Sequence, residues 1–70
     1  MTYEIGVYST NPSTARRVAK CSEKHTAIVM AEAVAQSEFK EKSKIANADT
    51  VILWEYRKGS LVREVQRWEK

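Results

Sequence analysis

The residues best suited to nucleophilic or metal chemistry are a single cysteine, Cys21, and a single histidine, His25. Nucleophilic catalysis needs a nucleophile, a base and a group that orients the base, all within hydrogen-bond reach. Here the two residues are four positions apart at the predicted start of a helix, and no carboxylate completes the set. A structural zinc site needs about four Cys or His ligands. The sequence therefore predicts no enzymatic activity, no metal and no cofactor.

A second group of residues has the chemistry of a binding surface rather than of catalysis. Trp54 and Tyr56 are two residues apart, so both would lie on the same side of a strand, and Arg63 and Arg67 follow in the next segment. Aromatic rings on a sheet face can stack on the bases of single-stranded nucleic acid, while nearby arginines meet phosphates. The same four residues are also typical of a protein interface or a dimer core with solvated arginines. We take them as the candidate interaction face.

A basic segment near the N-terminus contains Arg16, Arg17 and Lys20. These side chains are candidate phosphate contacts, or otherwise the solvated face of a strand. The formal net charge of +3 at pH 7 permits contact with nucleic acid but does not require it. The sequence therefore keeps nucleic-acid binding as an alternative function.

The candidate residues need a framework of helices and strands to position them, and the first half of the chain is predicted to begin with a strand. Residues 3–9 alternate, with Tyr3, Ile5 and Val7 on one face. Asn11 and Pro12 then indicate a turn. Residues 15–21 fit either a returning strand or a helix that starts at Pro12. The strand is favoured, because Ser22 is a good N-cap immediately before a long helical run.

Residues 23–46 have the pattern of a helix rich in helix-forming residues. Apolar residues recur on one side at helical spacing. The small alanines among them allow close approach to a sheet, and Asn47 is suited to ending the helix. The predicted buried stripe comprises Ala27, Ala31, Val34 and Ile45, widened by Ile28, Ala35 and Phe39 and bordered by Met30.

The second half of the chain predicts a hairpin. Residues 50–57 form the strongest strand pattern, and Lys58 with Gly59 suits a tight turn in which glycine adopts positive φ. Residues 61–68 fit either the returning strand or a short helix capped by Ser60. The strand is favoured because a turn between two β-rich segments is typical of a hairpin.

A two-residue loop at Lys58 and Gly59 also predicts the register of this hairpin. Tyr56 then faces Leu61, because the two flank the turn symmetrically. Further along, the candidate face would be completed by the pairs Trp54–Arg63 and Ile52–Val65, with Arg67 on the same side.

The predicted fold is α+β, with the order ββαββ in a single domain of residues 1–70. The simplest packing is a four-stranded antiparallel sheet with one helix across one face. The sequence leaves open which face the helix covers. If it covers Val51, Leu53 and Val62, the other face shows the candidate interaction residues. If it covers Ile52, Trp54 and Tyr56, the other face is milder and acidic.

Size and composition complete the functional expectation. A chain of 70 residues with one cysteine cannot form an internal disulfide, and at this size association with a second chain is a common source of stability. No signal peptide and no apolar stretch of about 18 residues is present, which predicts a cytoplasmic protein without a membrane partner. We therefore expect a non-enzymatic protein-interaction domain, a homodimer formed through an uncovered sheet face or an edge strand.

Overall fold

The computed structural model describes residues 1–10, 13–40 and 48–70, with the side chain of Lys40 left out. These residues form four strands and one helix in the predicted ββαββ order. The elements are β1 (Thr2–Thr10), β2 (Ser13–Cys21), α1 (Lys24–Lys40), β3 (Thr50–Arg57) and β4 (Ser60–Glu69).

The first hairpin confirms the strand interpretation of residues 15–21. β1 and β2 are antiparallel, with Ile5 opposite Ala19 and Thr10 opposite Ser13. The register shifts once, where Val18 is an extra residue in β2. Such a bulge bends the strand and increases its local twist. The predicted turn residues Asn11 and Pro12 lie outside the described residues.

The helix begins one residue later than its sequence pattern predicts. Glu23 is the capping residue rather than Ser22, because its carboxylate accepts hydrogen bonds from the backbone N–H of His25 (2.8 Å) and of Thr26. Its carbonyl accepts the first helical bond, from Ala27 at 2.9 Å. The predicted extension to residue 46, with Ile45 in its stripe, and the ending at Asn47 lie outside the described residues.

The second hairpin turns where it is predicted to turn. Lys58 and Gly59 have φ values of 52° and 81°, and Arg57 pairs with Ser60. Positive φ at both central residues is the pattern of a type I′ turn, whose twist matches that of the flanking strands. Residues 61–68 are accordingly a strand, and the short-helix alternative is excluded.

The register beyond this turn corrects part of the prediction. Tyr56 faces Leu61 as expected, but Trp54 faces Glu64 rather than Arg63. Ile52 faces Arg67 rather than Val65. The cause is a pair of β-bulges, which leave Val62 and Val65 as extra residues in β4 and displace each later pair.

The sheet order is β2-β1-β3-β4, so the two central strands come from different hairpins. β1 pairs with β3, with Ile5 opposite Leu53 and Val7 opposite Val51. These four side chains are buried in the core under α1. The helix therefore covers the Val51 and Leu53 side of the sheet, as in the first of the two alternatives. Val62, the third residue of that alternative, is instead a bulge residue that is 47% exposed.

Small residues on α1 permit this packing. Ala27, Ala31 and Ala35 are buried, whereas Ile28, Val34 and Phe39 pack against the core at its margins. A stripe of alanines lets the helix backbone approach the sheet closely. Among residues 1–10, 13–40 and 48–70, no helix has the length and apolar character needed to cross a membrane.

Candidate interaction surface

The sheet surface that points away from α1 is called the open face. Its membership follows from strand alternation and ladder pairing, since directly paired residues point to the same side. Tyr3, Ile5 and Val7 point to the helix, so the intervening residues of β1 point away. The open face comprises Ser13, Ala15, Arg17 and Lys20 from β2, Thr2, Glu4, Gly6, Tyr8 and Thr10 from β1, Thr50, Ile52, Trp54 and Tyr56 from β3, and Leu61, Glu64, Arg67 and Glu69 from β4.

The centre of the open face is an aromatic group joined by one hydrogen bond. Trp54 Nε1 donates to the Tyr8 hydroxyl at 2.6 Å. The Tyr8 ring lies over Gly6, where a Cβ atom would be 2.8 Å from the ring carbon Cε2. Glycine at position 6 therefore lets the ring lie flat on β1. Ile52 is only 6% exposed, although α1 is on the other side, so open-face side chains cover it.

The β2 border of the open face is basic. Arg17 forms an ion pair with Glu4, and its guanidinium lies 5.5 Å from the centre of the Tyr56 ring. That distance is within the range of a cation–π interaction. The hydrogen bond to Glu4 raises the pKa of Arg17, with desolvation acting in the opposite direction. Lys20 is exposed and lies opposite Glu4 in the ladder.

The β4 border has an acidic balance. Arg67 Nη2 lies 2.8 Å from Glu64 Oε1, and its Nη1 lies 3.5 Å from Glu69 Oε1. Hydrogen bonding to Glu64 raises the pKa of Arg67. One arginine is thus flanked by two carboxylates, which leaves this border with one net negative charge.

The open face as a whole is electrically balanced. Among the described residues it has three basic side chains (Arg17, Lys20 and Arg67) and three carboxylates (Glu4, Glu64 and Glu69). A surface that binds nucleic acid owes most of its affinity to excess positive charge. The open face lacks that excess and combines an aromatic centre with charged borders, as many protein interfaces do.

Two of the predicted site residues lie elsewhere. Arg63 is opposite Glu55 on the helix side, where its Nε donates to Glu55 Oε1 at 3.1 Å. Glu55 is 4% exposed, so this pair satisfies a buried carboxylate. Arg16 Nη2 lies 2.5 Å from Glu38 on α1. Of the predicted groups, the structure brings Trp54, Tyr56 and Arg67 together with Arg17 and Lys20, and it separates Arg63 and Arg16 from them.

The residues that sequence reasoning missed are Tyr8, Glu4 and Glu64. A signal for the first two exists, because alternation along β1 puts Glu4, Gly6 and Tyr8 on one side. That signal becomes informative only when β1 is known to pair with β3. Glu64 gives no such signal, because the bulge at Val62 that brings it opposite Trp54 follows no simple pattern.

The candidate chemical residues form no catalytic arrangement within the described part of the chain. Cys21 Sγ donates to the Glu23 carbonyl at 3.5 Å, and His25 is exposed in the first turn of α1. The same described ranges contain no group of three His, Cys, Asp or Glu residues placed to hold a metal ion. A shallow groove of about 340 Å³ between β2 and α1 is lined by Arg16, Val18, Ala33, Val34, Ser37 and Glu38.

Comparison with known proteins adds no family to this description. No protein-family model, no curated protein and no solved structure matches this chain.

Proposed function

We propose that this protein is a small, non-enzymatic protein-interaction domain that forms a homodimer through its open face. The observation that carries the proposal is the aromatic centre of that face, in which Trp54, Tyr56 and Tyr8 are half-buried and no element of residues 1–10, 13–40 and 48–70 covers them. One helix covers only one side of a four-stranded sheet. An uncovered apolar group with a polar rim is typical of an interaction site.

The face supports association better than the edges do. Both edge strands of the sheet are bulged, β2 at Val18 and β4 at Val62 and Val65. Bulges twist an edge away from a partner strand and interrupt its row of free N–H and C=O groups. An added strand would therefore pair poorly with either edge, whereas the face offers a continuous surface.

The area of the open face indicates how strongly two copies are expected to associate. Four strands about 4.8 Å apart and eight residues long present roughly 500 Å² per copy. Face-to-face contact then buries about 1,000 Å² in total, close to the lower limit for a specific interface. We therefore expect a concentration-dependent dimer with a Kd in the micromolar range or above.

The test is sedimentation equilibrium from about 10 μM to about 1 mM, which spans the expected Kd. Leu61→Arg adds charge to an open-face residue that is 54% exposed, so it should abolish the dimer while the monomer stays folded. Val29→Arg is the matched control, because Val29 is 55% exposed on α1. A strict monomer at the highest concentration, or equal loss in both variants, would overturn the proposal.

The cell compartment forms part of the same proposal. We infer a reducing environment, and hence the cytoplasm, because the chain has one cysteine and builds its fold without a disulfide.

The alternative function is a nucleic-acid-binding module that uses the same face. What favours it is the Arg17 guanidinium over the Tyr56 ring, beside Trp54 and the exposed Lys20. Aromatic and guanidinium planes both stack on bases. Against it stand Glu4 and Glu64, which would repel a phosphate backbone.

A further inference from the structure

The open face has its charges arranged in a row that runs across all four strands. Lys20 pairs with Glu4, Glu4 with Trp54, and Trp54 with Glu64. These four residues are therefore level with one another. A cation lies at the β2 end of the row and a carboxylate at the β4 end.

The side chains at the two ends of this row, Lys20 and Glu64, can each form an ion pair with a second molecule. Lys20 is exposed and forms no ion pair within the described residues, and the Glu4 carboxylate opposite it is paired with Arg17. Both hydrogen bonds from Arg67 to Glu64 end on Oε1. Within the described part of the chain Glu64 Oε2 accepts none, so it remains available to a second molecule.

Symmetry limits how two such faces can meet. Closed dimers use a two-fold axis, and for stacked sheets that axis lies in the plane between them. An axis perpendicular to the strands stacks β2 on β2 and β4 on β4, so the basic border meets a basic border and the acidic border an acidic one. An axis parallel to the strands stacks β2 on β4, and each row of one copy then lies over the same row of the other copy.

We propose that Lys20 and Glu64 determine how two copies pair, with the two-fold axis parallel to the strands. Lys20 of each copy then lies against Glu64 of the other, and the contact occurs twice. This inference rests on the proposed function, since it specifies the partner contacts of the same face. Both axes keep the strands of the two sheets aligned, which is the common arrangement of packed sheets, so the charges decide between them.

The neighbouring row is compatible with this arrangement. Arg17 is level with Arg67 through Gly6 and Ile52, so the two arginines of opposite copies come near each other. Each already has its own carboxylate, from Glu4 for Arg17 and from Glu64 and Glu69 for Arg67. The contacts between Lys20 and Glu64 therefore decide which two-fold axis is electrostatically favoured.

The test is a charge swap read by sedimentation equilibrium. Lys20→Glu and Glu64→Lys each create two like-charge contacts per dimer, and each should raise the Kd about tenfold. The double variant K20E/E64K recreates both attractive contacts and should return the Kd to within a few-fold of the wild type. Lys24→Glu and Glu32→Lys on α1 change the net charge equally and should leave the Kd unchanged.

A crosslinking experiment separates the two axes directly. In a Cys21→Ser background, Lys20→Cys and Glu64→Cys proteins are mixed with a short bis-maleimide. The parallel axis predicts crosslinks between the two different variants. The perpendicular axis stacks β2 on β2 and β4 on β4, so it allows crosslinks only within each variant and none between Lys20→Cys and Glu64→Cys.

The outcomes separate this Lys20–Glu64 arrangement from the proposed open-face homodimer on which it rests. A dimer in which the double variant fails to recover, or in which Lys20→Cys crosslinks to itself, overturns this arrangement and leaves the open-face dimer standing. A wild-type protein that is monomeric at every concentration overturns the proposed function, and the arrangement with it.

Discussion

Asp49 connects three strands at one end of the sheet. Its carboxylate accepts hydrogen bonds from the Thr10 backbone N–H (3.0 Å) and hydroxyl (2.6 Å), and from the Thr50 hydroxyl (2.9 Å). Its backbone N–H donates to the Tyr8 carbonyl, and its carbonyl accepts from Lys70. A single residue thus joins the end of β1, the start of β3 and the end of β4.

The pH dependence of stability should report on Asp49. Hydrogen bonds from the Thr10 hydroxyl, and then from Thr50, hold the pKa of this carboxyl below its usual value. A lowered folded-state pKa stabilises the protein above the unfolded-state pKa, about 4, and this contribution is lost as the pH falls through the folded-state value. Asp49→Asn should therefore lower the Tm at neutral pH, and by less as the pH drops below about 4.

Thermal unfolding followed by circular dichroism at a series of pH values measures this difference. Glu32→Gln on the exposed side of α1 is the control, with no change in Tm expected. If the gap between wild type and Asp49→Asn stayed constant into acid, the charge of Asp49 would have no part in stability.

At the scale of elements, the alanine stripe of α1 is what brings the helix close to the sheet. Ala27, Ala31 and Ala35 face the central strands, and the larger Ile28, Val34 and Phe39 pack at the sides. The predicted stripe is confirmed for these residues. The helix start and the β4 register differ from prediction, because capping by Glu23 and the two bulges are settled by individual contacts rather than by periodicity.

Enlarging the centre of this stripe should destabilise the fold. Ala31 is 0% exposed, so Ala31→Leu must push the helix from the sheet, at a cost of about 1–3 kcal/mol in the free energy of unfolding. Ala33→Leu is the matched control, because Ala33 is exposed on the same helix. Alanine and leucine have similar helix propensity, so this substitution changes little besides the packing. Urea denaturation measures both variants, and equal stability of the two would contradict close packing at Ala31.

At the scale of the whole fold, the helix covers one side of the sheet and, among the described residues, leaves an aromatic, charge-balanced surface on the other. The buried side is strongly apolar, with Val51 and Leu53 opposite Val7 and Ile5. The open face is mixed in chemistry. That difference favours a protein partner over a polyanion.

Binding of a labelled single-stranded oligonucleotide, followed by fluorescence anisotropy, tests this preference. We expect no binding at low salt beyond that of a double variant, Arg17→Ala with Lys20→Ala, because three carboxylates offset the three cations of the face. If the wild type bound and its affinity fell linearly with salt on a logarithmic scale, the nucleic-acid alternative would replace the dimer.

Local patterns in the sequence were enough to predict the four strands, the helix and the order ββαββ. Alternation identified β1 and β3, helical spacing identified α1, and Lys58 with Gly59 identified the turn. They also placed Trp54 and Tyr56 on one side of β3. These features depend on residues close together in the chain, whose periodicity and backbone preferences act locally.

Only the tertiary structure decided which side the helix covers, which strands lie at the centre and where Arg63 points. β1 and β3 meet across more than forty residues of chain, and that pairing aligns Tyr8 with the aromatic residues of β3. The bulge at Val62 then turns Arg63 towards Glu55 and brings Glu64 beside Trp54, and the bulge at Val65 brings Arg67 opposite Ile52. Such choices depend on the packing of the whole core, because a shift of one residue in register moves a side chain to the opposite face.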